Sequence, residues 1–183
     1  ERIRALLDEF PDLPMLLIPG NHDVDLVDSD MPLPLLGRRQ LAYTHGAAKQ
    51  DVPGARVIIA DTTTPGQGRG TLDQCREQIL DLAGCDRPVF IGVHHHFQRY
   101  GTMTHWPPGI DKADADRFFP ELRRVNPRSL VSSGHSHRNR RRMHHGVTFC
   151  EVGSTKDWPG VWAGYVVHEG GIRQIVRKTR TMI

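Results

Sequence analysis

The chain has 183 residues, 38% of them hydrophobic and 25% charged, with a formal net charge of +3. That length and balance suit one globular domain with a sizeable core, and no run approaches the apolar length a membrane span needs. Cys75, Cys85 and Cys150 are odd in number and lack paired metal-ligand spacing, which argues against a disulfide framework and for a reducing, cytoplasmic setting.

The chain opens at Glu1 inside a helical pattern of Ile3, Leu6, Leu7 and Phe10, and is read as a fragment whose signal peptide or preceding strand, if any, lies upstream. Residues 15–18 (MLLI) form an apolar run of strand length, MPLPLLG at 31–37 reads as loop, and residues 57–60 form a second strand. Thr71 is placed to cap a helix carrying Leu72, Cys75, Ile79 and Leu82 on one face, ended by Gly84. Pro88 opens a third strand over 89–93. Residues 97–110 lack periodicity, contain Trp106, Pro107, Pro108 and Gly109, and read as a long loop over a site. Phe118, Phe119 and Leu122 mark another helix, followed by a short strand over 129–133. Strands are then predicted over 147–152, 161–168 and 172–176, the last two joined as a hairpin at Glu169-Gly170-Gly171. The sum is an α/β pattern with an antiparallel β finish.

The histidines fall at strand ends. PGNHD at 19–23 follows the 15–18 run, His94 follows the third strand directly, and His135 and His137 follow Ser133-Gly134. Ligands of α/β sheets bind in loops beyond the carboxyl ends of strands, so these three loops are predicted to converge. Neutral imidazoles combined with amide or carboxylate oxygens suit first-row divalent metals. Asn21, His94 and His135 supply a candidate donor set for one ion, and His137 can reach a second beside it. Two adjacent ions can clamp the attacking and leaving oxygens of a phosphoryl displacement. A lone loop histidine is ordinarily a satisfied surface or core residue; three strand-end clusters are not explained that way.

GNHD at 20–23, a histidine-led loop at His94, and GHSH at 134–137 resemble, in order and approximate spacing, the last three motifs of the calcineurin-like metallophosphoesterase superfamily, whose pattern is D-x-H, G-D-x-x-D, G-N-H-[D/E], H and G-H-x-H. The stretch DTTTPGQGRGTLDQ at 61–74 and the closing strands are similar to the bacterial cyclic-nucleotide phosphodiesterase branch. The first two motifs are absent, so residues 1–183 are read as the C-terminal portion of a single metallophosphoesterase domain. The fragment alone is expected to be inactive and to lack sheet neighbours, and upstream sequence of the parent gene is expected to carry both missing motifs.

The resemblance implies an α/β fold, part of a four-layer αββα sandwich, and two divalent or trivalent ions (Mn, Fe or Zn) in the full-length protein. It implies that Asn21, His94 and His135 bind the second metal and His137 the first. It further implies that His22 faces the leaving group as general acid, with a hydroxide bridging the metals as nucleophile. Asp23 is read as bracing its loop, and His95 as an ordinary residue or a contact behind the ligands. The implied substrate is a small-molecule phosphodiester, a cyclic nucleotide foremost. A nuclease or phosphoprotein phosphatase would use the same residues. A non-catalytic anion- or nucleic-acid-binding domain is the rival from another class, resting on Arg138, Arg140, Arg141 and Arg142. Those arginines are either a solvated turn or the mouth of the site. The stretch 153–162 is expected to close over the same edge, Trp158 to cover the core rather than to stack on a base, Cys150 to lie in the core, and His144 and His145 to be solvated. His45, His105 and His168 are read as lying outside the site.

Overall fold

The computed structural model describes residues 9, 16–23, 46–102, 106–158 and 160–179. The predicted first helix, the Pro-rich loop at 31–37, His45 and His105 lie outside the described residues. A six-stranded mixed sheet has the order β1-β2-β3-β4-β6-β5. Its strands are β1 (Ala47–Val52), β2 (Ala55–Ala60), β3 (Val89–Val93), β4 (Ser129–Ser133), β5 (Arg140–His144) and β6 (Val147–Glu151). Strands β2, β3, β4 and β6 run parallel, and β1 and β5 pair antiparallel at the two edges. The mixed α/β class predicted from the sequence is the class observed. No helix among the described residues is long and apolar enough to cross a membrane.

The central strands are continuous apolar or small-residue runs because both their faces are covered. On one face Ile58, Val89, Ile91, Val93, Val131 and Phe149 are buried against α1 (Arg76–Ala83) and α2 (Lys112–Val125). On the other lies the hairpin of β7 (Val161–His168) and β8 (Gly171–Lys178). Tyr165 of β7 packs on Phe90, with ring centroids 4.5 Å apart, and its hydroxyl lies 2.5 Å from that of Ser132. The alternation of β3 thus divides its side chains between helices and hairpin.

Three local expectations are corrected. Residues 16–18 are half-buried and belong to no strand; β1 already occupies the edge of β2 that such a strand would need. Thr71 does not cap a helix: its hydroxyl accepts from the Asp73 amide in a local turn, and α1 starts only after Cys75, without a side-chain cap. Side-chain turns of this kind compete with helix initiation. Residues 140–144 form edge strand β5, not a turn, with Arg141 and Met143 facing outward and Arg140, Arg142 and His144 half-buried.

Asn126, at the C-terminus of α2, reaches the carbonyls of Ala83, Cys85 and Arg87 and ties both helices to the start of β3. Beside it Phe97, Phe118, Phe119 and Phe149 form a fully buried aromatic cluster. Phe97 is the fourth residue past β3, so the cluster also anchors the chain as it leaves the site. Phe119→Ala should lower unfolding free energy in urea by about 3–5 kcal/mol. A loss below roughly 1 kcal/mol would mean that this cluster is not the structural core.

Candidate metal centre

Four parallel strands end flush. Ala60 pairs with Val93, Val93 with Ser133, and Ser133 with Glu151, forming one row across the sheet. The segments beyond that row therefore begin level with one another: Asp61-Thr62, His94-His95 and Gly134-His135. The Gly134 amide donates to the His94 carbonyl at 3.0 Å, extending the ladder one step into the loops. The 20–23 turn is closed by the Asp23 amide on the Gly20 carbonyl, 3.0 Å, and by the Gly20 amide on Asp23 Oδ2, 2.7 Å. Asp23 braces this turn as the sequence suggested. Gly20 lies against the His94 ring, where an added Cβ would fall 2.7 Å from Cε1 and 2.9 Å from Nδ1. Close approach to the imidazole, rather than a left-handed backbone, is what demands glycine here.

His94 Nε2 lies 2.9 Å from Asn21 Oδ1 and 3.0 Å from His135 Nδ1. Two donors bound to one ion at about 2.0–2.1 Å and at right angles would be about 3 Å apart, so these separations suit neighbouring positions around one cation. The tautomer of His135 follows from its other nitrogen. Its Nε2 is 3.0 Å from the Pro108 carbonyl, which can only accept, so Nε2 carries the proton and the neutral ring presents a bare Nδ1 toward His94. A carbonyl holding the far N–H of an imidazole is the usual bracing of a metal-binding histidine.

His95 completes a triad whose donor atoms lie within 4.8 Å of one another: His94, His95 and His135. Thr62 Oγ1 lies 2.9 Å from His95 Nδ1, while the buried Nε2 has no hydrogen-bond partner among the described residues. An orphaned buried imidazole nitrogen within such a cluster fits a cation-binding role. Burial pushes the pKa of His94 down to about 3, with His135, His22 and His137 adding repulsion, and burial pushes that of His95 to about 2. His135 is lowered too, by burial first, against the opposing bond to Pro108. All three are therefore neutral near pH 7, the state a metal requires. Because the folded values lie below the ordinary 6.5, their contribution to metal-free stability is full above that pH and declines as acid is added.

Asn21, His94 and His135 thus come together as predicted. His137 shares the His135 loop but is 55% exposed, with Nδ1 2.8 Å from Asp157 Oδ2. His22 is exposed at the rim, near enough for its charge to act on His94 and His135. His95 is a fuller participant than its sequence suggested. Thr62 and the Pro108 carbonyl had no sequence signal beyond DTTTPG and the aperiodic 97–110 stretch. Pro108 of that stretch does reach the site, and Phe97 pairs with Ile110 at its ends.

The surroundings bring further corrections. Arg142 contacts Glu151 at 3.0 Å, and with Arg99, Arg141 and Asp116 it borders a groove of about 370 Å³. His144 is half-buried and stacks on Phe119, with centroids 4.8 Å apart, instead of being solvated; His145 is exposed. Trp158 is 83% exposed and so does not cover the core; Lys178 Nζ sits 4.7 Å from its ring. Cys150 is buried as predicted.

The fold and site define an α/β protein with a histidine-rich, metal-competent sheet edge. No protein-family model matches the sequence. The chain is distantly similar to a probable cyclic nucleotide phosphodiesterase of Psychrobacter arcticus, 26% identical over 161 residues that cover 78% of this chain and 53% of that protein. It spans about half the length of that relative.

Gly20→Ala should displace the His94 ring. Nitrogen-15 spectra of the imidazoles should show shifts at His94 and His135 while the cooperative unfolding transition persists. Unchanged imidazole signals would contradict the close packing of residue 20 on His94.

Proposed function

We propose that the protein is a metal-dependent phosphoesterase that hydrolyses a phosphodiester, a cyclic nucleotide foremost. The observation that carries this reading is the bare Nδ1 of His135 facing His94 Nε2 and Asn21 Oδ1 at a buried strand edge. Similarity to the Psychrobacter protein supports the substrate class. A divalent ion bound there supplies Lewis acidity toward a phosphoryl oxygen and makes water nucleophilic near neutral pH. Asn21, His94 and His135 would hold one such ion, Mn, Fe or Zn, and His137 would serve a neighbouring one.

The remaining residues divide the other tasks. His95, fixed by Thr62, packs edge-on against His94 at 86° and holds its plane. Asp23 and Gly20 keep Asn21 and His22 on one rigid turn. His22, exposed at the rim, protonates the departing oxygen; with water as the attacking nucleophile, no covalent enzyme intermediate is needed.

In the full protein, His94→Ala and His135→Ala should each reduce bound metal and activity together. His22→Ala should keep its metal and lose roughly 10²–10⁴-fold in rate. The loss should be large for a cyclic nucleotide, whose sugar alkoxide needs a proton, and small for a nitrophenyl ester, whose leaving group does not. Equal losses on both substrates, or metal release by His22→Ala, would remove His22 as the acid. Absence of metal from wild-type protein prepared with Mn, Fe and Zn would remove the reading altogether.

A further inference from the structure

The loop that carries His135 and His137 has an unusual support. His135 and His137 both have left-handed backbones, with φ of 63° and 52°. Such conformations are disfavoured for residues bearing a Cβ and persist where surrounding structure imposes them. Ser136, between them, is buried, and its hydroxyl donates at 2.7 Å to Glu151 Oε2. Glu151 ends β6 opposite Ser133, the residue from which the loop departs. Its side chain is fully buried. Arg142, on the diagonal across the β5–β6 ladder, lies 3.0 Å from Oε1, yet its N–H does not point well enough at that oxygen to make a hydrogen bond. The Ser136 hydroxyl is accordingly the sole hydrogen-bond donor to this buried carboxylate among the described residues.

A buried charge with one donor is an expensive way to fill space. Arg140 stands opposite Glu151 and Arg142 diagonal to it on β5, but neither completes the hydrogen bonding of its Oε1. Its position beside the end of β4, and its reach to the middle residue of a doubly left-handed turn, suit another task. We propose that Glu151 is a positioning residue for the metal centre: through Ser136 it holds the strained 134–137 loop so that His135 Nδ1 faces His94 and His137 stays beside it. Arg142, 3.0 Å from Oε1, lies against the carboxylate on its other side. This inference rests on the reading of His94 and His135 as metal ligands, and it concerns a residue outside the GHSH motif.

The test compares Ser136→Ala, Glu151→Gln and the double variant of the full protein. Two quantities are read: the Kd for Zn²⁺, by competition with a chromophoric chelator, and the melting temperature of metal-free protein. Each single variant should weaken Zn²⁺ binding about tenfold, the lower end for residues that support metal ligands. The double variant should bind no more weakly than either single one, because the two groups act as a unit. Ser136→Ala should melt within a few degrees of wild type, and it decides the matter alone should Glu151→Gln fail to fold. An unchanged Kd in Ser136→Ala, or additive losses in the double variant, would overturn the positioning role while leaving the metal centre intact. Wild-type protein that binds no Zn²⁺ would overturn both, and that result is distinguishable because it needs no variant.

Discussion

The register between β3 and β4 is the constraint on which the site depends. Val93 opposite Ser133, with the Gly134 amide on the His94 carbonyl, sends two histidine-bearing segments off the sheet at one level. A slip of one residue would reverse the facing of every side chain on the strand, separating His94 from His135. What prevents the slip is burial on both faces: Ile91 and Val93 against the helices, Phe90 against Tyr165 of the hairpin. Core packing therefore sets the donor geometry directly, and the loops need only turn the side chains inward.

Inside that frame the cluster is electrostatically odd. Three imidazoles are crowded at ring-centroid distances of 4.5–4.9 Å, and burial holds them neutral. Histidines that merely fill a core find partners for both nitrogens, because an unpaired buried polar atom is costly. Here His95 Nε2 has none among the described residues, and the His94 Nε2–H, if present, must serve both Asn21 Oδ1 and His135 Nδ1. A cation held by ring nitrogens would satisfy such unpaired positions.

The fold was legible in the sequence where burial was symmetric. β2, β3 and β4 read largely as apolar or small-residue runs because parallel strands covered on both faces have that composition, while β6 read as an alternating strand. β1, with sequence AAKQDV, and β5, with RRRMH, were missed because edge strands facing water need not be apolar. α1 started late because Thr71 bonded locally. In the site, His94 and His135 were visible as strand-end residues, and their grouping followed from the rule for α/β sheets; Asn21 was placed with them by an apolar run that forms no strand. Their division into ligands and acid came from motif resemblance. Thr62 and the Pro108 carbonyl were invisible because their roles arise from tertiary approach: one is a strand-end hydroxyl, the other a backbone atom in a loop whose path sequence does not dictate.

The rim has its own logic, seen best at His137. Asp157 Oδ2 lies 2.8 Å from His137 Nδ1 and, able only to accept when ionised, orients the ring through that nitrogen. A carboxylate held against one ring nitrogen fixes the direction in which the other one faces. His135 receives the same service from a carbonyl of the 97–110 loop, and His137 from the 153–162 segment. Two long surface segments thus reach the sheet edge, and each fixes one histidine of a single four-residue motif. Since the central strands determine where the histidines begin and these segments determine which nitrogen each presents, variation in the surface segments can retune the centre without disturbing the core.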